Sequence, residues 1–372
     1  KINVSELSHA GNGGDPNIEL YADGSTSIRN LQNQANSLVI NGAMSVAQRS
    51  LSETDVVNAG YYTVDHMRHS SSNLGTARFT ISQNNNGPTG FPYCYKLETT
   101  TAQASGAQTG LRFQYQFEGQ DLQSLGWGTA NAKPLTVSFW VNTSVQGSYS
   151  LTLQRNEATD RNIGTVFTVA AGEINNWKFV THTFPGDQTT PVTNDATERM
   201  QLKISMGEGS DWITADNTSW GDYTSARYAF GQTVQLHETV NSTFSITGLQ
   251  VTPTDGPIEF QHESFGETLS KCQRYYQKID VLSSNGGITN AINASWYVHQ
   301  VTLPVTMRAA PDLVADYSYS TNTGRAEYRL VDGSFGDGLV LNAATTTGVA
   351  VRGATNSTTI QISGRLALDA EL

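Results

Sequence analysis

Residues 243–279 read TFSITGLQVTPTDGPIEFQHESFGETLSKCQRYYQKI, and the chain changes character inside them. Phe244, Ile246, Leu249 and Val251 alternate around Gly248, a residue suited to a bulge, so the first part predicts a closing strand. Pro253, Asp255, Gly256 and Pro257 then forbid regular structure. The run from Gly266 to Tyr276 is one of very few places where the sequence predicts a short helix. A module therefore ends near this stretch and another begins.

Upstream, apolar rows recur at a spacing of two: Leu111-Phe113-Tyr115-Phe117, Val137-Phe139-Val141, Tyr149-Leu151-Leu153 and Leu202-Ile204-Met206. Such rows place one face of each strand against a covered core. The runs between them, NNNGPTG, NTSVQG, FPGDQTTP and GEGSDW, hold the residues that turns demand. Strands so spaced predict a two-sheet antiparallel jelly roll, and the missing crossover helices disfavour a parallel sheet. Downstream, Trp296-Val298, Val301-Leu303-Val305-Met307, Ala326-Tyr328-Leu330, Leu339-Leu341, Val349-Val351 and Ile360-Ile362 predict a smaller β module, with Pro304 hinting at an edge or bulge. The first 36 residues are poor in large apolar side chains. They carry a loop with Gly11, Gly13, Gly14, Asp15 and Pro16, and an Asp23-Gly24 turn between Leu20 and Ile28 that signals a hairpin. The expected architecture is all-β: an N-terminal β arm (1–36), a jelly-roll sandwich (37–262), and a smaller C-terminal β-sandwich (263–372) joined by the short helix.

Composition agrees. Of 372 residues 37% are hydrophobic and only 15% charged, the usage of short strands linked by polar turns. A net charge of −11 and the lack of a basic run argue against tracking a phosphate backbone, so no nucleic-acid partner is expected. No apolar stretch approaches the ~20 residues of a membrane-spanning helix, so membrane insertion is not expected. The chain begins at Lys1 rather than Met, which leaves open a leader or a preceding domain. Cys94 and Cys272 fit no metal spacing and are read as free, buried thiols. Sequons occur at Asn142, Asn217, Asn241, Asn293 and Asn356, as chance allows in so Asn-, Ser- and Thr-rich a chain.

No catalytic motif is visible. His66 and His69, beside Asp65, would have to share a helical face to hold a metal, and the residues around them have no helical period. His182 sits in a strand pattern. The carboxylate pairs Glu118/Asp121 and Glu208/Asp211 lie in turn-like contexts, and only convergence on a cleft would suit them to glycoside cleavage. The expectation is no enzyme, no catalytic metal and no cofactor; acids in the loops Gly207–Asp211 and Asn194–Glu198 leave room for a structural calcium. Trp140 and Trp177 fall inside strands and read as packing residues. Trp212, Trp220 and Tyr223 occupy a long polar segment instead. Rings beside Asp and Asn suit a sugar-binding face, the ring covering C–H groups while amides and carboxylates take hydroxyls. These three are the candidate ligand-binding residues.

Several stretches resemble tail-fibre and other virion-surface proteins of tailed phages, especially those infecting marine bacteria. They are LVINGAMSVAQRS (38–50), YYTVDHM (61–67), QDLQSLGWGTANAKPLTVSFWV (120–141), WKFVTHTFPGD (177–187), FSITGLQV (244–251), FQHESFGETLSKCQRYYQK (260–278), LPVTMRAAPDL (303–313) and the terminal DAEL. Where relatives often carry an Arg after the VD of the first module, this chain has His66. The resemblance implies sandwiches like carbohydrate-binding modules, mounted on a virion as homotrimers, with no catalytic residues to transfer. It implies attachment to other virion proteins through residues 1–36 and contact with host cell-surface polysaccharide. A capsid decoration or head-fibre protein, and a polysaccharide-degrading tail spike, are the alternatives it leaves open.

Overall fold

A computed structural model describes residues 6–7, 18–20, 26–28, 36–282, 290–293, 296–314, 326–330, 335–354, 360–361 and 363–372. The first strands, β1 (Glu6–Leu7), β2 (Ile18–Leu20) and β3 (Thr26–Ile28), form a small antiparallel sheet in which Ile18 opposes Ile28. That register is the one a hairpin between Leu20 and Ile28 requires; the Asp23-Gly24 turn and the Gly11–Pro16 loop lie outside the described residues.

The main body is a sandwich of thirteen strands. In chain order they are β4 (Ser52–Val56), β5 (Gly60–Tyr61), β6 (Arg68–Ser72), β7 (Arg78–Asn84), β8 (Cys94–Thr101), β9 (Gly110–Glu118), β10 (Leu135–Thr143), β11 (Gly147–Arg155), β12 (Arg161–Val169), β13 (Lys178–Phe184), β14 (Glu198–Glu208), β15 (Gly221–Asp222) and β16 (Thr243–Thr252). One sheet runs β13-β10-β16-β8-β7-β4 and the other β15-β12-β11-β14-β9-β6-β5. The alternating rows seen in the sequence supply the core between them: Leu111, Phe113, Tyr115, Val137, Phe139, Tyr149, Leu151, Leu202, Ile204, Phe244 and Ile246 are all buried in one cluster. Each such side chain contributes roughly 1.5–3 kcal/mol by leaving water. Gly248 sits at φ +61° where the β10–β16 register slips between Ser138 and Trp140, the expected bulge.

Downstream, α1 (Phe265–Gln273) starts on a capping box: the Ser264 hydroxyl accepts from the Glu267 amide, and the Glu267 carboxylate accepts from the Ser264 amide. Strands β17 (Tyr276–Leu282), β18 (Asn290–Asn293), β19 (Trp296–Thr302), β20 (Asp312–Val314), β21 (Ala326–Leu330), β22 (Phe335–Ala344), β23 (Gly348–Ala354), β24 (Ile360–Gln361) and β25 (Ser363–Asp369) follow. They form a three-stranded sheet, β17-β25-β20, and a six-stranded one, β18-β19-β23-β22-β21-β24. Leu366 and Leu368 of the first share a core with Val349 of the second and with Leu303 and Met307. One expectation is corrected here: the Val301–Met307 run is not a continuous strand. β19 stops at Thr302 because Pro304 has no amide to give a ladder; beyond it the Leu303 and Met307 amides reach Thr347 O and Thr346 O, which seats both side chains in the core. Among the described residues no helix is long and apolar enough to cross a membrane.

Candidate functional site

The same alternation that buries Leu111, Phe113 and Tyr115 sends Arg112, Gln114, Gln116 and Glu118 to the outer face of the seven-stranded sheet. Strand register extends this into polar rows. One runs Arg68–Gln114–Lys203–Thr152 across β6, β9, β14 and β11, and the next runs Gln116–Gln201–Gln154–Asn162. A third, Ser70–Arg112–Ser205–Ser150, lies on the other side of the first.

The segment 209–228 crosses part of this face. Its backbone is tied down by Thr152, whose hydroxyl donates to Tyr228 O (3.1 Å), and by Asn162, whose amide donates to Arg227 O (2.7 Å). Tyr228 is thereby buried over two cations, with Arg112 Cζ 4.3 Å and Lys203 Nζ 4.4 Å from its ring centre. Arg112 is fully paired, its guanidinium donating twice to Glu208 at 2.6 Å. Among the described residues Lys203 has no carboxylate within ion-pair distance; its ammonium donates to Gln154 Oε1 at 2.6 Å. Burial, reinforced by the nearby Arg112, pushes this lysine down to about 7.

Gln114, Gln116, Gln154 and Asn162 are buried in these rows, and the face meets solvent at a few side chains beside them. Arg68, Gln201, Glu198 and Asn156 are partly exposed, and Arg68 donates to Gln114 Oε1 (2.5 Å). Glu198 accepts from the amides of Gln116, Asn156 and Gln201, and burial lifts its carboxyl above the usual range. Tyr61 closes one end by donating to Gln116 Oε1 at 2.5 Å. The result is an internally bonded strip of amides, one carboxylate and two cations flanked by rings, with Arg68, Gln201, Glu198 and Asn156 as its partly exposed polar groups.

Of the three residues singled out from sequence, Trp212 and Tyr223 come together here. Both rings stand edge-on to Tyr228, with centroids 5.2 and 6.1 Å away, and Trp212 also faces Arg112 Cζ at 5.1 Å. Trp220 lies apart from that pair. Its ring packs on Trp127 (5.4 Å) and its indole N–H donates to Pro185 O (2.7 Å), next to Asp187, which holds Arg155 and Arg161. Tyr228 and the outward polar positions of β9 and β14 were not singled out from sequence. The signal for them was the complement of the apolar rows.

The other histidines and acids find structural partners. His69 is fully buried on the core side, against Phe79, with no partner on either ring nitrogen, and burial pushes it down to about 3. His66, at φ +66°, points elsewhere, to Glu371 (2.9 Å). His182 is half-buried against Phe184. Glu118 is buried under Arg274 and Glu208 under Arg112, while Asp121 and Asp211 are exposed. In the two loops considered for calcium, Asp195 is held by Arg199 and Glu208 by Arg112. Among the described residues no group of three or more His, Cys, Asp or Glu is arranged to hold a metal ion. Trp140 is partly exposed, against Phe179 on the outer face of the six-stranded sheet, and Trp177 donates to Asn86 O. Cys94 and Cys272 are free and buried.

A second polar cluster lies where the sandwich meets the C-terminal strands. Arg49 donates to Asp369 (3.0 Å) and Glu371 (3.1 Å) and lies 3.9 Å from Asp65; its guanidinium stacks on Tyr276 at 3.9 Å. Gln48 donates to Tyr276 O, Arg274 to Glu118, and Arg308 to Ala196 O, Ala370 O and Glu371 O. Burial lifts Asp65 to about 6; burial would lift Glu371 too, but His66 and Arg49 outweigh it and hold that carboxyl below its ordinary range.

No known family profile matches the chain, and no curated protein does. Solved structures overlap it in part. The enzymatically active domain of tailspike protein 4 of bacteriophage CBA120 covers 58% of this chain at 7% identity and a TM-score of 0.30, and the chain spans 21% of that protein. A family 11 carbohydrate-binding module from Clostridium thermocellum, in complex with a β-1,3-1,4-mixed-linked tetrasaccharide, covers 56% at 12% identity and 0.27, with 97% of the module matched. Scores of this size describe partial likeness only.

Proposed function

We propose that the chain is a non-catalytic virion-surface adhesin of a tailed phage, a tail fibre or tail-associated protein, whose polar strip contacts host-surface glycan. The strip carries the reading: Gln201, Glu198 and Asn156, partly exposed and held in place by the buried Gln114 and Gln116 rows, offer hydrogen bonds suited to sugar hydroxyls, and Trp212 and Tyr223 stand beside them with rings for the C–H faces. Trp220 anchors the segment that presents those rings. The virion assignment is supported by the phage-like stretches, several of which meet at one place: Gln48-Arg49, Asp65-His66, Arg274 to Tyr276, Arg308 and the terminal DAEL all contribute to the cluster joining the two sandwiches. Residues 1–36 serve as the attachment arm, 37–262 as the glycan-reading jelly roll and 263–372 as a second module. In a homotrimer, weak contacts repeated on one particle gain strength, because later encounters become intramolecular.

Adsorption of the full chain to polysaccharide extracted from a susceptible host tests this. Gln201→Ala and Tyr223→Ala are each expected to weaken adsorption by roughly tenfold, the loss of one good polar or stacking contact, with little change in melting temperature. Undiminished adsorption of the double variant would remove the strip from the account, and release of reducing ends would replace an adhesin with a depolymerase.

A further inference from the structure

Lys203 is an anomaly in an otherwise balanced molecule. Among the described residues the other arginines with deeply buried guanidinium groups have acids: Arg112 has Glu208, Arg155 has Asp187 and Arg49 has Asp369 and Glu371. Lys203 is 3% exposed and has only an amide oxygen. Buried charges ordinarily come with a counter-charge, because desolvating an ammonium costs several kcal/mol that an amide alone does not return. Beside it in the same row, Arg68 is partly exposed and is likewise held only by an amide, from Gln114. Two cations without carboxylate partners thus lie two strands apart on one face, in a chain with 33 acidic and 22 basic residues.

Glu198, an acid of the same face, accepts from three amides, which draw its charge away from the open side. Arg68 has the geometry to meet an anionic oxygen directly, since its guanidinium has donors beyond the one given to Gln114. Lys203 lies in the row behind it, where the low dielectric lets its charge act at short range.

Resting on the glycan reading above, we infer that the saccharide this strip takes is acidic: it carries a carboxylate or a sulfate ester that pairs with Arg68 and lies within the field of the buried Lys203. Selectivity follows. A neutral sugar on the strip leaves Arg68 with its amide partner alone, while an acidic one pairs with Arg68 directly and adds to the field of Glu198 and Glu208 at the buried Lys203. Binding also depends on pH, because Lys203 attracts the anion only when protonated. The groups facing it are Arg112, Arg68, Glu198 and Glu208, with the Tyr228 ring above. Of these, Lys203 itself titrates near neutrality, so affinity for an anion falls as pH rises from 6 to 9.

The test titrates the full chain with three size-matched probe sets: uronic-acid oligosaccharides, their carboxyl-reduced neutral counterparts, and sulfated oligosaccharides on the same backbones. Wild type is expected to bind at least one acidic set about tenfold or more tightly than its neutral counterpart, one charge-assisted contact being worth about that factor. Arg68→Gln and Lys203→Met are each expected to erase most of that preference, weakening acidic binding by about tenfold more than neutral binding. Preference for the carboxyl form over the sulfate, or the reverse, identifies which anion is read. Equal binding of acidic and neutral sets, or a preference that survives both substitutions, overturns the acidic-ligand inference but leaves the glycan reading standing. Binding of no set, with adsorption to host polysaccharide also absent, removes both. Melting curves of Lys203→Met establish folding, and Lys203→Gln gives a second, polar variant should Met disturb the Tyr228 contact.

Discussion

The junction and the strip bury similar chemistry and treat it in opposite ways. At the junction Arg49 meets Asp369 and Glu371 and Arg274 meets Glu118, while Arg308 is held by three backbone carbonyls, so the two ion-paired arginines have their acids inside the same chain. On the strip Lys203 and Arg68 have amides only. A closed set of charges fixes how two pieces of a chain sit together, whereas an open one is ready for something outside it. The proposal that the strip, and not the junction, is the binding face rests on this contrast and on no relative.

The most damaging way to break the comparison is at the closed end. Arg49→Met strands Asp65, Asp369 and Glu371 and is expected to destabilise the full chain by about 3–5 kcal/mol, read from the urea midpoint. A loss below about 1 kcal/mol, the worth of a surface pair, would mean the junction is no clamp. The matching change at the open end has the opposite sign. Lys203 titrates at about 7 when folded and near 10.4 when unfolded, so between those values the unfolded chain binds more protons and stability rises with pH. Wild type should therefore gain on Lys203→Met by at most about 1.4 kcal/mol per pH unit from pH 7 to 9. Parallel pH profiles for the two proteins would show that the lysine is not desolvated in the way described.

Smaller effects sharpen the picture away from both clusters. Gly248→Ala puts a Cβ 2.9 Å from the Phe91 ring at φ +61° and is expected to cost about 1–3 kcal/mol in thermal unfolding. Trp220→Phe removes the bond to Pro185 O, about 0.5–1.5 kcal/mol, together with part of the ring packed on Trp127, and should leave glycan adsorption intact. Impaired adsorption in that variant with an unchanged melting temperature would move the ligand from the strip toward Trp127 and Trp220.

Much of the fold was legible because alternation is a local signal. Leu111 to Phe117 announces a strand with one covered face, and Gly248 announces its bulge, without knowledge of any partner. The run through Leu303, Val305 and Met307 misled for the same reason: its spacing is strand-like, but Pro304 stops the ladder and the buried side chains hang from a loop. The site was legible only in part. Trp212 and Tyr223 stood out as rings in a polar segment, and the fold gathers them around Tyr228, but the segment's third ring, Trp220, packs on Trp127. Gln114, Gln116, Lys203 and Gln201 were in view as the polar half of the alternation. What joins them is cross-strand register between residues about ninety positions apart, which no local pattern encodes. The junction was hidden likewise, since Arg49 and Glu371 meet across 322 residues.

The most direct measurement of the central claim is a footprint of bound glycan on the full chain, by hydroxyl-radical labelling with and without polysaccharide from a susceptible host. The account predicts protection of Arg68, Glu198, Gln201, Trp212 and Tyr223 on the outer face of the seven-stranded sheet, with Trp140 and Phe179 on the six-stranded sheet unchanged. Protection confined to the six-stranded face, or to the Trp127–Trp220 pair, would contradict it.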